Sequence, residues 1–307
     1  MLLAAGRGER MEPLSSLIAK PALEVLGRPL LASSLDALHR AGCRRVVVNL
    51  HRHPEQVAEA ARGAAPRDVT LRFSGEPELL GGAGGIANAR TLLGPGDVLV
   101  GNADVWSDVD LAPLVAGAAD EAALGLLPHP DPGRWSSVVL DREGFVRDLL
   151  PAGAAGRAEG WLFTGFQRLG AEVVAGLPEP PAEMAPVWRR LIAARRLRGV
   201  VVDGRWREAG DPEAYRALVV DLLAGGSWIH LGADAGPRAR LEASALGRGC
   251  RVGEGALLER SVVTAGAAVG AGCVVRDCVV AGRVEVAAGR RLERLLVLPG
   301  GEVPLGR

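Results

Sequence analysis

Apolar positions in the first 224 residues fall into two alternating rhythms. Short runs, Leu2–Ala5, Arg45–Leu50, Val69–Phe73, Asp97–Val100 and Ala123–Leu127, read as strands. Between them Pro29–Ala41, Pro54–Gly63, Gly84–Leu93 and Leu111–Ala119 carry helical spacing, and Leu31, Leu35 and Leu38 share one face of the first. This alternation predicts an α/β domain built on a Rossmann-like, mostly parallel mixed sheet, with its ligands at the C-terminal ends of the strands. Residues 134–166 break the rhythm and read as an antiparallel insertion, while Glu213–Leu223 reads as a closing helix. Gly225-Gly226-Ser227 is the expected linker, dividing the chain into domains 1–225 and 226–307.

Beyond the linker the period changes. Branched or small apolar residues stand at Ile229, Ala235, Leu241, Leu246, Val252, Leu258, Val263, Val269, Val275, Val280, Val286 and Leu292. The steps run 6, 6, 5 throughout, so one full turn of the repeat takes 17 residues. Four residues after each of these stands a small or apolar residue, from Ala233 to Leu296, with Arg290 as the exception. Such hexads predict a left-handed β-helix with one strand per face of a triangular coil. Arg238, Arg248, Glu254, Glu259, Arg276 and Glu285 fall on its outside. Leu295–Pro299 is the expected cap at the far end, and packing through Trp228 and Ile229 the expected cover at the near end. The reading is of a structural and oligomerising module whose removal after Gly225 leaves some turnover.

Composition narrows the function classes. Thirty-six basic residues balance 36 acidic ones, which removes the electrostatic case for a nucleic-acid or anionic-membrane partner. No apolar run reaches the about 18 residues needed to span a bilayer, and the expected location is cytoplasmic. Cys43, Cys250, Cys273 and Cys278 form no CxxC pair, and His51, His53 and His129 show no ligand spacing. Of the 36 basic residues only Lys20 is lysine, so lysine stands where arginine does not serve, or by chance of composition.

Lys20 lies just after a glycine-rich turn. The first strand runs into Gly6-Arg7-Gly8-Glu9-Arg10-Met11-Glu12-Pro13-Leu14, followed by Ala19-Lys20-Pro21. Glycines after a first strand let backbone N–H groups face a phosphate. A dinucleotide fingerprint lacks its third glycine here, and Pro13 and Pro21 keep a helix from opening promptly. A Walker loop lacks its Gly-Lys-Ser/Thr. What remains is a long extended loop with Arg10 and Lys20 near its ends, and a lone GxG also serves as a plain structural turn.

The full run Leu3–Leu14, with Lys20–Val25 and Gly27–Leu30 downstream, resembles the signature of sugar-1-phosphate nucleotidyltransferases. Glu76–Ile86 resembles that family's base-reading segment, and Gly101–Trp106 its first metal-binding strand end. Phe163-Thr164-Gly165 resembles part of the sugar pocket, and Trp206–Glu213 the second metal segment. Relatives in this family also append hexapeptide β-helices. The details are most similar to the N-acetylmuramate-1-phosphate uridylyltransferase and mannose-1-phosphate guanylyltransferase branches.

The resemblance implies a sugar-1-phosphate attacking the α-phosphorus of a nucleoside triphosphate, with pyrophosphate leaving. It assigns Arg10 to the triphosphate and Lys20 to the reacting phosphates. Ala5, Gly6, Gly8, Glu76, Gly81 and Gly82 bind the nucleotide, and Asn102, Thr164 and Gly165 the sugar. Asp104 and Glu208 would hold Mg²⁺, although the family usually has Asp at the second position and a water-mediated role for Glu208 stays open. A Glu-Lys-Pro segment common among relatives is missing from Val138–Pro151. Three readings compete: an active, homo-oligomeric nucleotidyltransferase; a non-catalytic nucleotide-sugar-binding subunit of the same fold; and an acyltransferase in the β-helix, for which His230 is the lone histidine there.

Overall fold

The first strand, β1 (Leu2–Leu3), lies in the middle of a sheet despite its two residues, pairing in parallel with β2 (Arg45–Leu50) on one side. The computed structural model describes residues 1–117, 122–154 and 160–306. Beyond β2 runs β3 (Thr70–Gly75), and on the other side of β1 lies β4 (Val98–Asn102), all parallel. Val46, Val47 and Val48 in β2 are all buried, as expected of a parallel strand covered on both faces. Next comes β5 (Ala122–Pro128), the strand expected over Ala123–Leu127, and the insertion supplies β6 (Ser137–Leu140), β7 (Val146–Leu150) and most of β8 (Trp161–Leu169). Strand β8 runs antiparallel to β4, β5 and β6, so the sheet is mixed, and β9 (Leu197–Val201) pairs in parallel with β5.

Helix α1 (Leu31–Arg40) buries Leu31, Leu35 and Leu38, the face read from their spacing. Helix α2 is Pro54–Ala64. The segment expected as one helix over Gly84–Leu93 is two, α3 (Gly81–Asn88) and Arg90–Leu93, divided at Ala89. The helix expected over Leu111–Ala119 runs Ala112–Val115; Ala118 and Ala119 lie outside the described residues, as do 155–159 of the insertion. A further helix, α4 (Met184–Ala193), was not legible in the periodicity. Helix α5 (Pro212–Leu223) starts on Asp211, whose side chain accepts the Ala214 N–H at 2.8 Å.

The C-terminal strands stack coil on coil with a 17-residue register, Leu246 on Val263, Val252 on Val269 and Leu258 on Val275. This is the left-handed β-helix. Its interior is apolar from Leu246 to Val297 and includes Cys250, Cys273 and Cys278. Burial pushes the Cys250 and Cys278 thiols up to about 11, and both donate to backbone carbonyls, so they act as small core residues. Glycine has two separate uses here. A Cβ on Gly253 would stand 2.4 Å from Ala271 N of the next coil, whereas Gly255 takes φ +66° at a corner. At a third corner Ser227, Ser244, Ser261 and Cys278 form a ladder, each serine hydroxyl accepting the next coil's N–H at 3.1–3.2 Å.

The far end closes by a hairpin, Leu295–Leu298 pairing antiparallel with Gly301–Pro304. The near end is covered only in part: Trp228 packs against Gly27, as expected, but Ile229 does not join it. Ile229 is 46% exposed and Leu231 fully exposed, and the first-coil strands pair on one side only. Among the described residues no helix is long and apolar enough to cross a membrane.

By packing, the chain divides into two compact units, each built from two stretches of sequence. One is Met1–Arg7 with Leu31–Trp206; the other is Gly8–Leu30 with Arg207–Arg307. From Gly8 onward the glycine-rich loop thus belongs to the same body as the β-helix, while Gly6 and Arg7 belong to the other.

Candidate active site

The first unit carries a buried polar relay that the sequence analysis missed. Ala4 N–H donates to Asn49 Oδ1 at 2.7 Å, and Asn49 Nδ2 donates to Glu76 Oε1 at 2.7 Å. Glu76 Oε2 accepts the Leu80 N–H at 3.2 Å, and the Glu76 carbonyl meets His51 Nδ1 at 2.9 Å. Asn49 and Glu76 are only 3% and 4% exposed. The relay fixes the end of β1, just before Ala5 and Gly6, against the segment that opens α3. Glycine is required at 85, where a Cβ would stand 2.7 Å from Glu76 Oε1. An asparagine closing an otherwise apolar run, Val46-Val47-Val48-Asn49, was the available signal.

Glu76 was expected to face a base. Its carboxylate is engaged inside the fold, so what it presents is the backbone of Leu80, Gly81 and Gly82. Gly81 takes φ +73°, and a Cβ there would stand 2.5 Å from the Ala182 carbonyl. Ala5 is buried, while Gly6 is exposed with open space where a side chain would be.

The expected sugar residues also meet in this unit. Asn102 ends β4, and its carbonyl accepts the Ser34 hydroxyl at 2.7 Å. Its side chain lies over Gly165, whose φ is +88° and where a Cβ would stand 3.1 Å from Asn102 Nδ2. Thr164 is fully buried: its hydroxyl donates to the Gly125 carbonyl at 2.8 Å, and its own carbonyl accepts from Trp206 Nε1 at 3.0 Å. Thr164 therefore holds the strand and Trp206 rather than offering a hydroxyl. Trp206 meets Trp135 edge-on, ring centres 5.4 Å apart. Asp104 is half-buried just past the end of β4.

The second unit holds Gly8, Arg10, Lys20 and Glu208. The loop is not extended. It is folded into three 3-10 turns, Glu9–Met11, Leu14–Ser16 and Lys20–Ala22, because Pro13 and Pro21 forbid a continuous helix. Gly8 enters at φ +65°, and Ser15 Oγ donates to its carbonyl at 3.0 Å. Arg10 Nη2 donates to Glu208 Oε1 at 2.7 Å, the two side chains 68% and 14% exposed. Gly210 leaves room for this pair; a Cβ there would stand 3.2 Å from both partners. Lys20 is 7% exposed.

Among the described residues no group of three or more His, Cys, Asp or Glu side chains gathers as a metal cluster. Asp104 and Glu208 are carried on different units. Both are hard oxygen donors, and Mg²⁺ commonly binds through one or two carboxylates plus water and substrate phosphates, so the donor chemistry fits that ion.

Comparison with known proteins matches residues 1–223 to the nucleotidyl transferase family. The chain belongs to that family. Residues 223–294 of this nucleotidyl transferase match the GlmU-like C-terminal hexapeptide family. It is 35% identical to an N-acetylmuramate alpha-1-phosphate uridylyltransferase of Caulobacter vibrioides, over 72% of this chain and 96% of that protein. It is 31% identical to a mannose-1-phosphate guanylyltransferase catalytic subunit beta of Drosophila pseudoobscura pseudoobscura, over 49% of this chain and 42% of that one. The structure of HddC from Yersinia pseudotuberculosis shares its fold with TM-score 0.62 and 21% identity, covering 72% of this chain and 97% of that one. The resemblance read from the signature residues is thus borne out.

Proposed function

We propose that this nucleotidyl transferase condenses UTP with N-acetylmuramate α-1-phosphate, giving the UDP-sugar and pyrophosphate. The observation that carries this reading is the match to the uridylyltransferase across 96% of that protein's length. The reading puts catalysis in residues 1–225 and treats the β-helix of residues 226–307 as non-catalytic.

The chemistry needs no general base. A phosphate monoester has a second pKa of about 6, so the sugar phosphate is already dianionic at neutral pH. One of its oxygens forms a bond to the α-phosphorus, the bond to the β-phosphate oxygen breaks, and that electron pair leaves with pyrophosphate. Two polyanions must be neutralised and aligned. Backbone at Ala5, Gly6, Gly8, Gly81 and Gly82 receives the nucleotide, with Glu76 holding that segment. Arg10 takes the triphosphate and Lys20 the reacting phosphates. Asn102 and Gly165 face the sugar, and Thr164 acts through the strand and Trp206. Asp104 and Glu208 would hold Mg²⁺, which neutralises phosphate oxygens when bound. The enzyme works as a homo-oligomer in this reading, and light scattering of the full chain checks it.

Initial rates of pyrophosphate release across four nucleoside triphosphates and a panel of sugar-1-phosphates test the assignment. The expected result is the highest kcat/KM for UTP with N-acetylmuramate α-1-phosphate. Preference for GTP with mannose-1-phosphate would move the chain to the guanylyltransferase branch. Nucleotide binding without pyrophosphate release on any pair would leave a non-catalytic binding subunit.

A further inference from the structure

From Gly8 onward the glycine-rich loop packs on the β-helix within one compact unit, through three contacts to the coils and one to α5. At the loop's tight turn Gly27 takes φ +83°, and a Cβ there would stand 2.7 Å from Trp228 Cζ2 in the first coil. Buried Tyr215 of α5 donates its hydroxyl to the Glu24 carbonyl at 2.6 Å. The Glu24 side chain crosses to the second coil, where it accepts the Arg248 backbone N–H and lies close against Gly247. Leu17 of the same loop approaches Gly282 and Pro299 at the far coil, with its Cδ1 3.4 Å from where a Gly282 Cβ would be. Helix α5 is fastened to the same coils by Arg216. Its Nη1 donates to the Arg260 carbonyl at 2.9 Å and pairs with Asp277 at 3.1 Å.

We infer that the β-helix is the seat that sets the conformation of the phosphate-binding loop, with Trp228 and Tyr215 as positioning residues for nucleotide. The inference rests on the proposed function for its kinetic consequence, not for its geometry. Lys20 sits between residues the β-helix holds, Leu17 before it and Glu24 and Gly27 after it, while Arg10 lies upstream of Leu17 on the same loop. The loop has 3-10 turns and a single two-strand hairpin, Glu24–Val25 with Arg28–Pro29, as its own structure. Such short elements do not hold a conformation alone, so their order comes from what they pack on. A cavity of about 10 Å³ lies beside Glu24 in this contact, lined by Tyr215, Trp228, Gly247 and Thr264. The oligomerising role expected of the β-helix is therefore not its whole role. Removal after Gly225 would take away Trp228 and the Gly247–Thr264 wall together, and with them the loop's support.

The test uses full-chain Trp228→Ala, Trp228→Phe and Tyr215→Phe, with Leu231→Ser at the exposed coil end as control. Two quantities are measured: amide hydrogen exchange over residues 9–23, and KM for UTP and for N-acetylmuramate α-1-phosphate separately. Trp228→Ala should speed loop exchange and raise KM for UTP by about tenfold, with KM for the sugar phosphate changed less than about twofold. Trp228→Phe should recover most of the loss. Tyr215→Phe, which removes one hydrogen bond, should raise KM for UTP about threefold to fivefold. Unchanged loop exchange in both variants overturns the seat, as does a proportional rise in both KM values. Should Trp228→Ala fail to fold, Tyr215→Phe decides by the same readouts. If the parent enzyme transfers no nucleotide at all, the proposed function fails, while loop exchange still decides the seat.

Discussion

Lys20 shows what one residue type does at one place. In a chain with 35 arginines, the one lysine is a buried side chain, 7% exposed, in the loop proposed to bind phosphate, and a guanidinium there would be bulkier and planar. Lys20→Ala should lower kcat by about 10²–10³-fold, the usual effect of losing one preorganised charge, with KM changed far less. Lys20→Arg should be nearly as poor, and steady-state kinetics of the two variants check this. Near-parent turnover in both would remove Lys20 from the reacting phosphates. Glu208 is harder to read, because its carboxylate carries the Arg10 ion pair as well as the expected metal. A pair this exposed on one side contributes little to stability, about 0–1 kcal/mol, so its interest is functional. Glu208→Gln keeps an acceptor for Arg10 and removes the charge. If Glu208 helps hold Mg²⁺, the Mg²⁺ concentration for half-maximal rate should rise about tenfold or more. An unchanged Mg²⁺ titration would confine Glu208 to positioning Arg10.

At the scale of elements, strongly periodic segments were legible and locally irregular ones were not. The strands of the parallel half and the α1 face follow from alternation and from Leu31, Leu35 and Leu38. Helix α4 lies in a proline-rich stretch, with Pro180 and Pro181 before it and Pro186 within it, which masks its periodicity. Pro186 sits in the first turn of Met184–Ala193, where its missing N–H has no intrahelical partner to lose. The Asn49–Glu76 relay was hidden for another reason: a satisfied buried pair leaves no periodic trace. The contact of the loop with the second coil yields a pH prediction. Burial raises the Glu24 carboxyl above its ordinary 4.5, against the opposing pull of His230 and Arg248, and Glu24 Oε1 has no hydrogen-bond partner. Tyr215 and Cys250 are the other titratable groups facing it. The folded state holds this proton more tightly than the unfolded chain. Glu24's contribution to stability is therefore greatest below pH 4.5 and declines as pH rises through its raised folded value. Glu24→Gln should match or exceed the parent Tm at pH 7, the difference shrinking toward pH 4.5. A Tm deficit of the variant at pH 7 would contradict the burial argument.

On the scale of the whole molecule, the hexad register announced the β-helix unaided, since every coil repeats the same constraint. The composition of the compact units could not be read the same way. Tyr215 and Glu24 lie 191 residues apart, and no local pattern links them. The linear change of rhythm at Gly225 marks where one kind of repeat ends; it does not mark which residues pack together. The residues proposed for the active site are divided in the same way: Asn102, Asp104 and Gly165 belong to one unit, Arg10, Lys20 and Glu208 to the other. In the proposed reaction, residues of both units serve a two-substrate transfer. The measurement that meets this claim most directly is ³¹P NMR of the full-length protein with Mg²⁺, UTP and N-acetylmuramate α-1-phosphate in equal amounts. The account predicts that the monoester and triphosphate signals fall together while a diphosphodiester and pyrophosphate appear one for one. A monoester signal that persists while UTP is lost to hydrolysis, or no change in either substrate, would contradict it.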